Sequence, residues 1–387
     1  MRHALALARS VLTTTAPNPR VGCVIVRDGR ILGEGATQPP GGPHAEISAL
    51  RDAAARGNSV AGATFYVTLE PCSHHGRTPP CANAVAAAGP ARVVAAMGDP
   101  NPLVNGRGLA ILRAAGIEVR AGVCLEEALA LNAGFAARMS RGTPWAWMKM
   151  AASLDGRSAL HNGVSQWITG AAARADGHAW RARADVVLTG MGTVLKDDPR
   201  LTVRDAAASR QPRRAVVDGR LDLPETARLL DPVDDQEVWV FTACDQPEKA
   251  ARLARRNARV VVLPQAAPGR VDLQAMMAWM GAQQVNEVHI EAGAGLSGAL
   301  LAAGCVDEIL AYVAPVLLGD AAGMVRMPLL EHLDDAQRFD FIDLSLLGGD
   351  ARLRGRFRDR WQALLSAASP AAPSIGAGAG QASGFTH

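Results

Sequence analysis

Three residues that can ligate a metal, His44, Cys72 and Cys81, constrain this fold more than anything else in the chain. They sit in the runs His44-Ala45-Glu46, Glu70-Pro71-Cys72 and Pro80-Cys81, so holding one ion requires three separated segments to converge. One imidazole and two thiolates suit tetrahedral zinc and leave its fourth position open, which marks a catalytic rather than a structural ion. Glu46 follows His44 by two residues, and a carboxylate beside such an ion can shuttle protons. The combination reads as zinc-dependent hydrolytic deamination of an amino-substituted heterocycle. His74 and His75, between the cysteines, stand as competing fourth ligands.

The flanking pattern supports convergence. Gly41-Gly42-Pro43 precedes His44 and Thr68-Leu69-Glu70-Pro71 precedes Cys72, each where a strand pattern hands over to a helix pattern. Helix N-termini carry partial positive charge and favour thiolate. At about 100° per residue, His44 and Glu46 on a regular helix would point roughly opposite ways. The ion is therefore expected off the helix end.

Strands are expected over 21–26 and 31–35, flanking the turn Arg27-Asp28-Gly29-Arg30. A helix over 43–55 would start at Pro43, followed by a strand at 64–69 and a helix at 81–88. A strand at 93–97, a helix at 106–115 and a strand at 117–120 complete an α/β layer pattern. Residues 138–144, polar and carrying Gly142 and Pro144, read as a linker. A second α/β series has strands at 145–153, 186–190, 214–217, 237–241, 260–263, 287–291 and 309–317. Residues 366–387 contain no Asp, Glu, Lys or Arg and read as a disordered tail. A chain of 387 residues fits two domains, expected over 1–140 and 145–365.

Hydrophobic residues at 49% and charged residues at 20% describe an ordinary globular protein. A net charge of +3 with 4% aromatics argues against a nucleic-acid binder, which needs a basic, aromatic-lined groove. Six scattered cysteines point to a reducing compartment. Arg9 interrupts the apolar N-terminal stretch, which reads as an amphipathic helix and not a signal peptide. No apolar run approaches the ~20 residues of a membrane span, so a cytoplasmic protein is expected.

Gly293-Ala294-Gly295-Leu296-Ser297-Gly298 fits G-x-G-x-x-G, follows a strand and opens a helix, where backbone amides can meet a pyrophosphate. It falls late in its domain, and no acid ends the next strand to take a ribose 2′-hydroxyl, so it departs from the Rossmann pattern. NADP and another fold with a glycine-rich strand–helix turn are both compatible.

Together with Ala16-Pro17-Asn18-Pro19, Val21-Gly22 and Asp99-Pro100-Asn101-Pro102, the metal-ligand runs closely resemble the deaminase half of the bifunctional riboflavin-biosynthesis deaminase–reductases. The eight residues SHHGRTPP lie between the cysteines, where general cytidine and nucleic-acid deaminases have two. The resemblance implies a cytidine-deaminase-like three-layer α/β/α domain with zinc on His44, Cys72 and Cys81 and Glu46 as catalytic residue. It puts Asn18, His74, Arg77, Asp99 and Asn101 at the substrate, although a lysine is also familiar at Arg77.

Further along, KMAASLDGR from Lys149, Ser165-Gln166-Trp167-Ile168-Thr169, Gly190-Met191-Gly192-Thr193, DDPRLTVR from Asp197, and Glu291-Ala292-Gly293 resemble the reductase half. That implies a dihydrofolate-reductase-like α/β domain. Ala151, Trp167, Thr193, Asp197 and Gly293, Ala294, Gly295, Leu296, Ser297, Gly298 and Ala299 would contact NADPH. Gly219 stands at the cofactor where a serine is familiar. Ser165, Arg181, Leu201, Arg204 and Glu291 would hold the substrate, with Lys149 and Glu291 as candidate proton donors.

The implied substrate of the first step is 2,5-diamino-6-ribosylamino-4(3H)-pyrimidinone 5′-phosphate, a small phosphorylated pyrimidine, and the implied assembly is a homo-oligomer. Two rivals make different demands. A nucleic-acid-editing deaminase needs the basic aromatic groove. A regulatory protein with an inert site would lack a ligand or Glu46, and all four are present.

Overall fold

The computed structural model describes residues 1–73, 80–102, 104–204 and 210–370. Among them the chain forms a five-stranded sheet, a nine-stranded sheet and two short ribbons.

The first unit runs α1 (Arg2–Ser10), β1 (Gly22–Arg27), β2 (Arg30–Ala36), α2 (Ala45–Ala55), β3 (Thr64–Val67), α3 (Cys81–Ala87), β4 (Arg92–Ala95), α4 (Arg107–Ala114), β5 (Glu118–Ala121) and α5 (Leu125–Arg141). Its strand order is β2-β1-β3-β4-β5, antiparallel on the β2-β1-β3 side and parallel from β3 to β5. Ala45, Ala49 and Ala53 recur at helical spacing and are buried, so α2 lies close against the sheet. The helix starts two residues later than expected. His44 is its N-cap with extended backbone, φ −71° and ψ 167°, which takes the imidazole off the helix end.

The second unit runs β6 (Trp145–Ser153), β7 (Arg157–Ala159), α6 (Ala171–Arg183), β8 (Val186–Gly190), α7 (Met191–Asp197), β9 (Arg213–Val217), β10 (Val238–Thr242), α8 (Pro247–Ala254), β11 (Ala258–Val262), β12 (Gln265–Ala267) and β13 (Arg270–Val271). It continues with α9 (Leu273–Ala282), β14 (Glu287–Ile290), α10 (Ala294–Ala302), β15 (Glu308–Ala314), β16 (Ala322–Gly323), β17 (Asp340–Leu347), β18 (Asp350–Arg356) and α11 (Arg358–Ala368). The order is β11-β10-β9-β8-β14-β6-β15-β18-β17, parallel as far as β15 and antiparallel beyond it. β15 stops at Ala314, short of the expected residue 317, because Pro315 cannot donate to the ladder.

Two sequence readings change here. Residues 138–141 are the last turn of α5, and Gly142, at φ 75°, ends it in the left-handed conformation. The charges that resemble a linker are engaged: Arg138 Nε donates to Asn286 Oδ1 at 2.7 Å, and Arg141 forks onto Asp307 at 2.8 and 2.7 Å. At the other end, residues 366–368 belong to α11, with Ala368 buried and its carbonyl accepting the Gly98 amide. Residues 371–387 of the expected tail lie outside the described residues.

α5 and α11 join the units. One hydrophobic core contains Ile25, Phe65 and Leu129 from the first unit and Trp145, Tyr312, Trp361 and Leu364 from the second. No described helix is long and apolar enough to cross a membrane.

Candidate active sites

His44 Nδ1 lies 3.6 Å from Cys72 Sγ and 3.3 Å from Cys81 Sγ, and the three ligand atoms fall within 4.8 Å of one another. Tetrahedral zinc, with bonds of about 2.3 Å to sulfur and 2.0–2.1 Å to nitrogen, spaces N and S about 3.5 Å apart. The donor set therefore fits zinc. It is the one such group of three among the described residues, and the competing His74 and His75 lie outside them.

Cys81 opens α3, whereas Cys72 sits in the loop beyond β3 and not at a helix start. Cys72 is instead held as thiolate by Cys81, whose backbone amide also donates to its sulfur at 3.3 Å, and by His44; its pKa falls to about 4. The same hydrogen bond, aided by burial, pushes the Cys81 thiol up, so the two sulfurs share one proton where a metal ion would bind both. Glu46 is buried, and burial lifts its carboxyl to about 7.

His44, Cys72 and Glu46 border a cavity of about 440 Å³. Asn18, Asp99 and Asn101 line it; His74 and Arg77 lie outside the described residues. Burial raises Asp99 to about 7, and its Oδ1 accepts the Asn101 amide at 2.9 Å. Glu70 fixes this loop by accepting the amides of Asp99, Gly106, Gly108 and Leu109 at 2.8–3.2 Å. Sequence reasoning missed that role, along with Arg138, Met139 and Gln284 on the wall. An acid between a strand pattern and a proline was the available signal for Glu70.

The second unit carries two adjoining cavities of about 420 and 370 Å³ that share Lys149, Trp167, Thr169, Arg174 and Glu291. Ala151, Ser165, Thr193, Asp197, Gly293 and Ala294 line the first, and Arg181 and Arg204 the second. Gly295 and Leu296 face a neighbouring hollow with Thr193. Trp167 is 69% exposed, and the Arg174 guanidinium, unremarked in the sequence, stacks 4.5 Å from its ring centroid.

Arg181 Nε and a terminal nitrogen clamp the two Glu291 oxygens at 2.8 and 2.9 Å, so much of its fork is already engaged. Burial opposes ionisation of Glu291, but Arg181, His289 and Lys149 together outweigh it and hold the carboxyl well below its ordinary range. His289, wholly buried, accepts from the Trp147 indole through Nδ1 and brings Nε2 obliquely to 3.1 Å from Glu291.

The glycine run divides. Gly295 has open space where a Cβ would stand and Gly293 meets only the Thr193 hydroxyl at 3.8 Å, and α10 starts there without a side-chain cap, which suits a dinucleotide phosphate. Gly298 packs backward, because a Cβ would lie 1.7 Å from the Arg326 carbonyl. Ser297 is buried and donates to the Ala292 carbonyl, and Ala299 lines none of these cavities. Leu201 is 5% exposed within a core that includes Val187 and Val216. Gly219 lies off the cleft walls, and a Cβ there would meet the Gly269 carbonyl at 2.1 Å, leaving no room for a serine.

A zinc-type His/Cys/Cys pocket on one sheet and a cleft suited to a dinucleotide on the next define a two-centre enzyme, a deaminase joined to a reductase. Residues 1–97 match the cytidine and deoxycytidylate deaminase zinc-binding region, and residues 144–345 match the RibD C-terminal domain. The riboflavin biosynthesis protein RibD of Escherichia coli is 47% identical over 366 residues, covering 91% of this chain and 97% of its own. That of Haemophilus influenzae is 40% identical, with coverage of 91% and 95%.

Among solved structures, Acinetobacter baumannii RibD superposes with a TM-score of 0.82 at 43% identity, covering 92% of this chain and 97% of its own. The Thermotoga maritima diaminohydroxyphosphoribosylaminopyrimidine deaminase/5-amino-6-(5-phosphoribosylamino)uracil reductase gives 0.81 at 31% identity with the same coverage. The chain belongs to the RibD family of bifunctional riboflavin-biosynthesis deaminase–reductases. The expected fold, a cytidine-deaminase-like domain followed by a dihydrofolate-reductase-like one, is borne out.

Proposed function

We propose that the first pocket deaminates 2,5-diamino-6-ribosylamino-4(3H)-pyrimidinone 5′-phosphate. The second then reduces the ribosyl group of 5-amino-6-(5-phosphoribosylamino)uracil to ribityl with NADPH. The observation that carries this reading is the pairing, in one chain, of a metal-donor triad beside a buried Glu46 with an open, glycine-lined cleft.

His44, Cys72 and Cys81 hold zinc, which when bound makes water acidic, from pKa 15.7 towards about 7. Glu46, whose own pKa is about 7, takes one proton from that water and delivers it to the ring nitrogen as oxygen bonds to the amino-bearing carbon; it then carries the remaining hydroxyl proton to the amino group, which leaves as ammonia while the carbonyl forms. Asn18, Asp99 and Asn101 hold the pyrimidine against that carboxyl, and the family resemblance adds His74 and Arg77 as substrate contacts.

In the cleft, Ala151, Trp167, Thr193, Asp197 and residues 293–296 cradle NADPH, the hydride source when bound, while Ser297, Gly298 and Ala299 support the cradle from behind. Lys149, Ser165, Arg204 and Glu291 hold the substrate, Arg181 keeps Glu291 ionised and aligned, and Leu201 acts through its backbone. Of the two candidate proton donors, Lys149 is the one left at the reacting carbon, because Glu291 is held ionised and holds the substrate.

We assign the two domains, expected over 1–140 and 145–365, to the two units, which extend through α5 to Arg141 and through α11 to Ala368. Free cysteines support a cytoplasmic location. Homo-oligomer formation is supported by edge strand β17, where Phe341, Leu344 and Leu346 are 60%, 65% and 81% exposed; light scattering tests it. One coupled assay tests the chemistry. Ammonia release from the diamino substrate should precede NADPH oxidation. No ammonia from zinc-replete protein would overturn the first step, and NADPH oxidation on undeaminated substrate with Glu46→Gln would overturn the order.

A further inference from the structure

The first pocket is not walled by its own domain alone. Gln284, between α9 and β14, forms part of its rim. Two residues on, Asn286 Nδ2 donates to the Pro17 carbonyl at 3.0 Å, and Arg138 donates to the same carbonyl at 3.0 Å. Glu287 comes next. It has no exposed side-chain surface, and its two oxygens take the Arg20 fork at 2.8 and 2.7 Å.

Arg20 in turn ties the segment before it, through Nε to the Leu12 carbonyl at 2.9 Å. Arg210 repeats the pattern, donating to the Thr13 carbonyl at 3.0 Å and to Asp185 at 2.8 Å. Asp185 also accepts the amides of Asn286 and Glu287 at 2.8 and 3.0 Å. The carbonyls around Asn18 are thus tied, directly or through one guanidinium, to the start of a single strand of the other sheet.

A buried ion pair is a poor adhesive, since well-packed apolar groups often stabilise as much. A bidentate pair instead contributes defined geometry. Here that geometry is imposed on the loop that presents Asn18 to the cavity.

We propose that Glu287 is a positioning residue of the deaminase centre. Acting through Arg20, it holds residues 12–20 so that Asn18 lies on the pocket wall, and the reductase domain is a working part of the deaminase's substrate site. This rests on the reading of that pocket as the deaminase centre.

The test uses the full-length, zinc-loaded protein. In Glu287→Gln the deaminase KM should rise roughly tenfold with little change in kcat, because a displaced positioning loop costs alignment and not chemistry. Zinc stoichiometry and the reductase constants measured on deaminated substrate should stay at wild-type values. Asp307→Asn removes the partner of Arg141 elsewhere in the same interface; it should lower Tm without moving that KM.

Should Glu287→Gln not fold, Asn286→Ala should give the same KM rise. Amide exchange over residues 12–20 should quicken in Glu287→Gln and not in Asp307→Asn. That readout needs no turnover, so it decides the positioning claim even if wild type releases no ammonia, a result that counts against the deaminase reading alone. An unchanged KM or unchanged exchange in Glu287→Gln overturns the proposal, as does an equal KM rise in Asp307→Asn.

Discussion

The two centres of this chain are built by opposite means. The deaminase centre gathers side chains: one imidazole, two thiols and a carboxyl, delivered from a helix cap, a loop and a helix start into a buried corner. The reductase cleft exposes backbone: open glycines at the start of α10, a broad floor on β6 and a half-stacked Trp167 at the rim. Chemistry that depends on a metal ion tolerates little displacement of its ligands. A cofactor that brings its own reactive carbon needs mainly shape and alignment.

The difference should appear most strongly at the metal. Cys72→Ser or Cys81→Ser should lose zinc by metal analysis and release no detectable ammonia, while NADPH oxidation on deaminated substrate continues. A parallel fall in reductase rate would break the independence of the two centres. Glu46→Gln should keep its zinc yet slow ammonia release by about 10²–10⁴-fold.

On the reductase side, Glu291→Gln should lower reductase kcat/KM on the order of 10²-fold, since losing one partner of a buried pair costs about 2–5 kcal/mol, and steady-state deamination should be untouched. Acid should also act on the seam between the two centres. Burial opposes ionisation of Glu287, yet Arg183 and Arg20 outweigh it and hold the carboxyl at about 2 against an ordinary 4.5. The native form thus binds fewer protons than the unfolded form. The pair's stabilisation is complete above pH 4.5 and should be lost as pH falls from there through about 2. That loss, on the order of 3 kcal/mol, should show as a falling urea midpoint that is absent in Glu287→Gln.

Smallest should be the contrast inside the glycine run. Gly298→Ala should lower stability by about 1–3 kcal/mol through its clash with the Arg326 carbonyl, and Gly295→Ala should leave Tm unchanged because its Cβ meets open space. Equal Tm values would remove the distinction between a cradle face and a packing face.

The same contrast explains what the sequence disclosed. Ligand type and spacing are local, so His44, Cys72, Cys81 and Glu46 were legible, as was the alternation of strands and helices around them. Gly298 and Gly219 looked like cofactor contacts because a glycine's letter does not say whether it makes room for a ligand or for another backbone. Arg138 and Arg141 looked like a linker because their partners, Asn286 and Asp307, lie far away in sequence. Gln284 gave no signal at all; only the packing of α5 against β14 brings it to the other domain's pocket.

Arg20 and Glu287 lie 267 residues apart. At the roughly 5–20 residues per second of chain synthesis, the guanidinium waits on the order of 15–50 s on the ribosome before its carboxylate exists. The apolar flank of α5 waits longer still, for Trp361 and Leu364. A newborn deaminase domain therefore begins life with an unmatched charge and an uncovered greasy side, the condition in which aggregation competes with folding. Synthesis order makes the final helix the latch of the first domain.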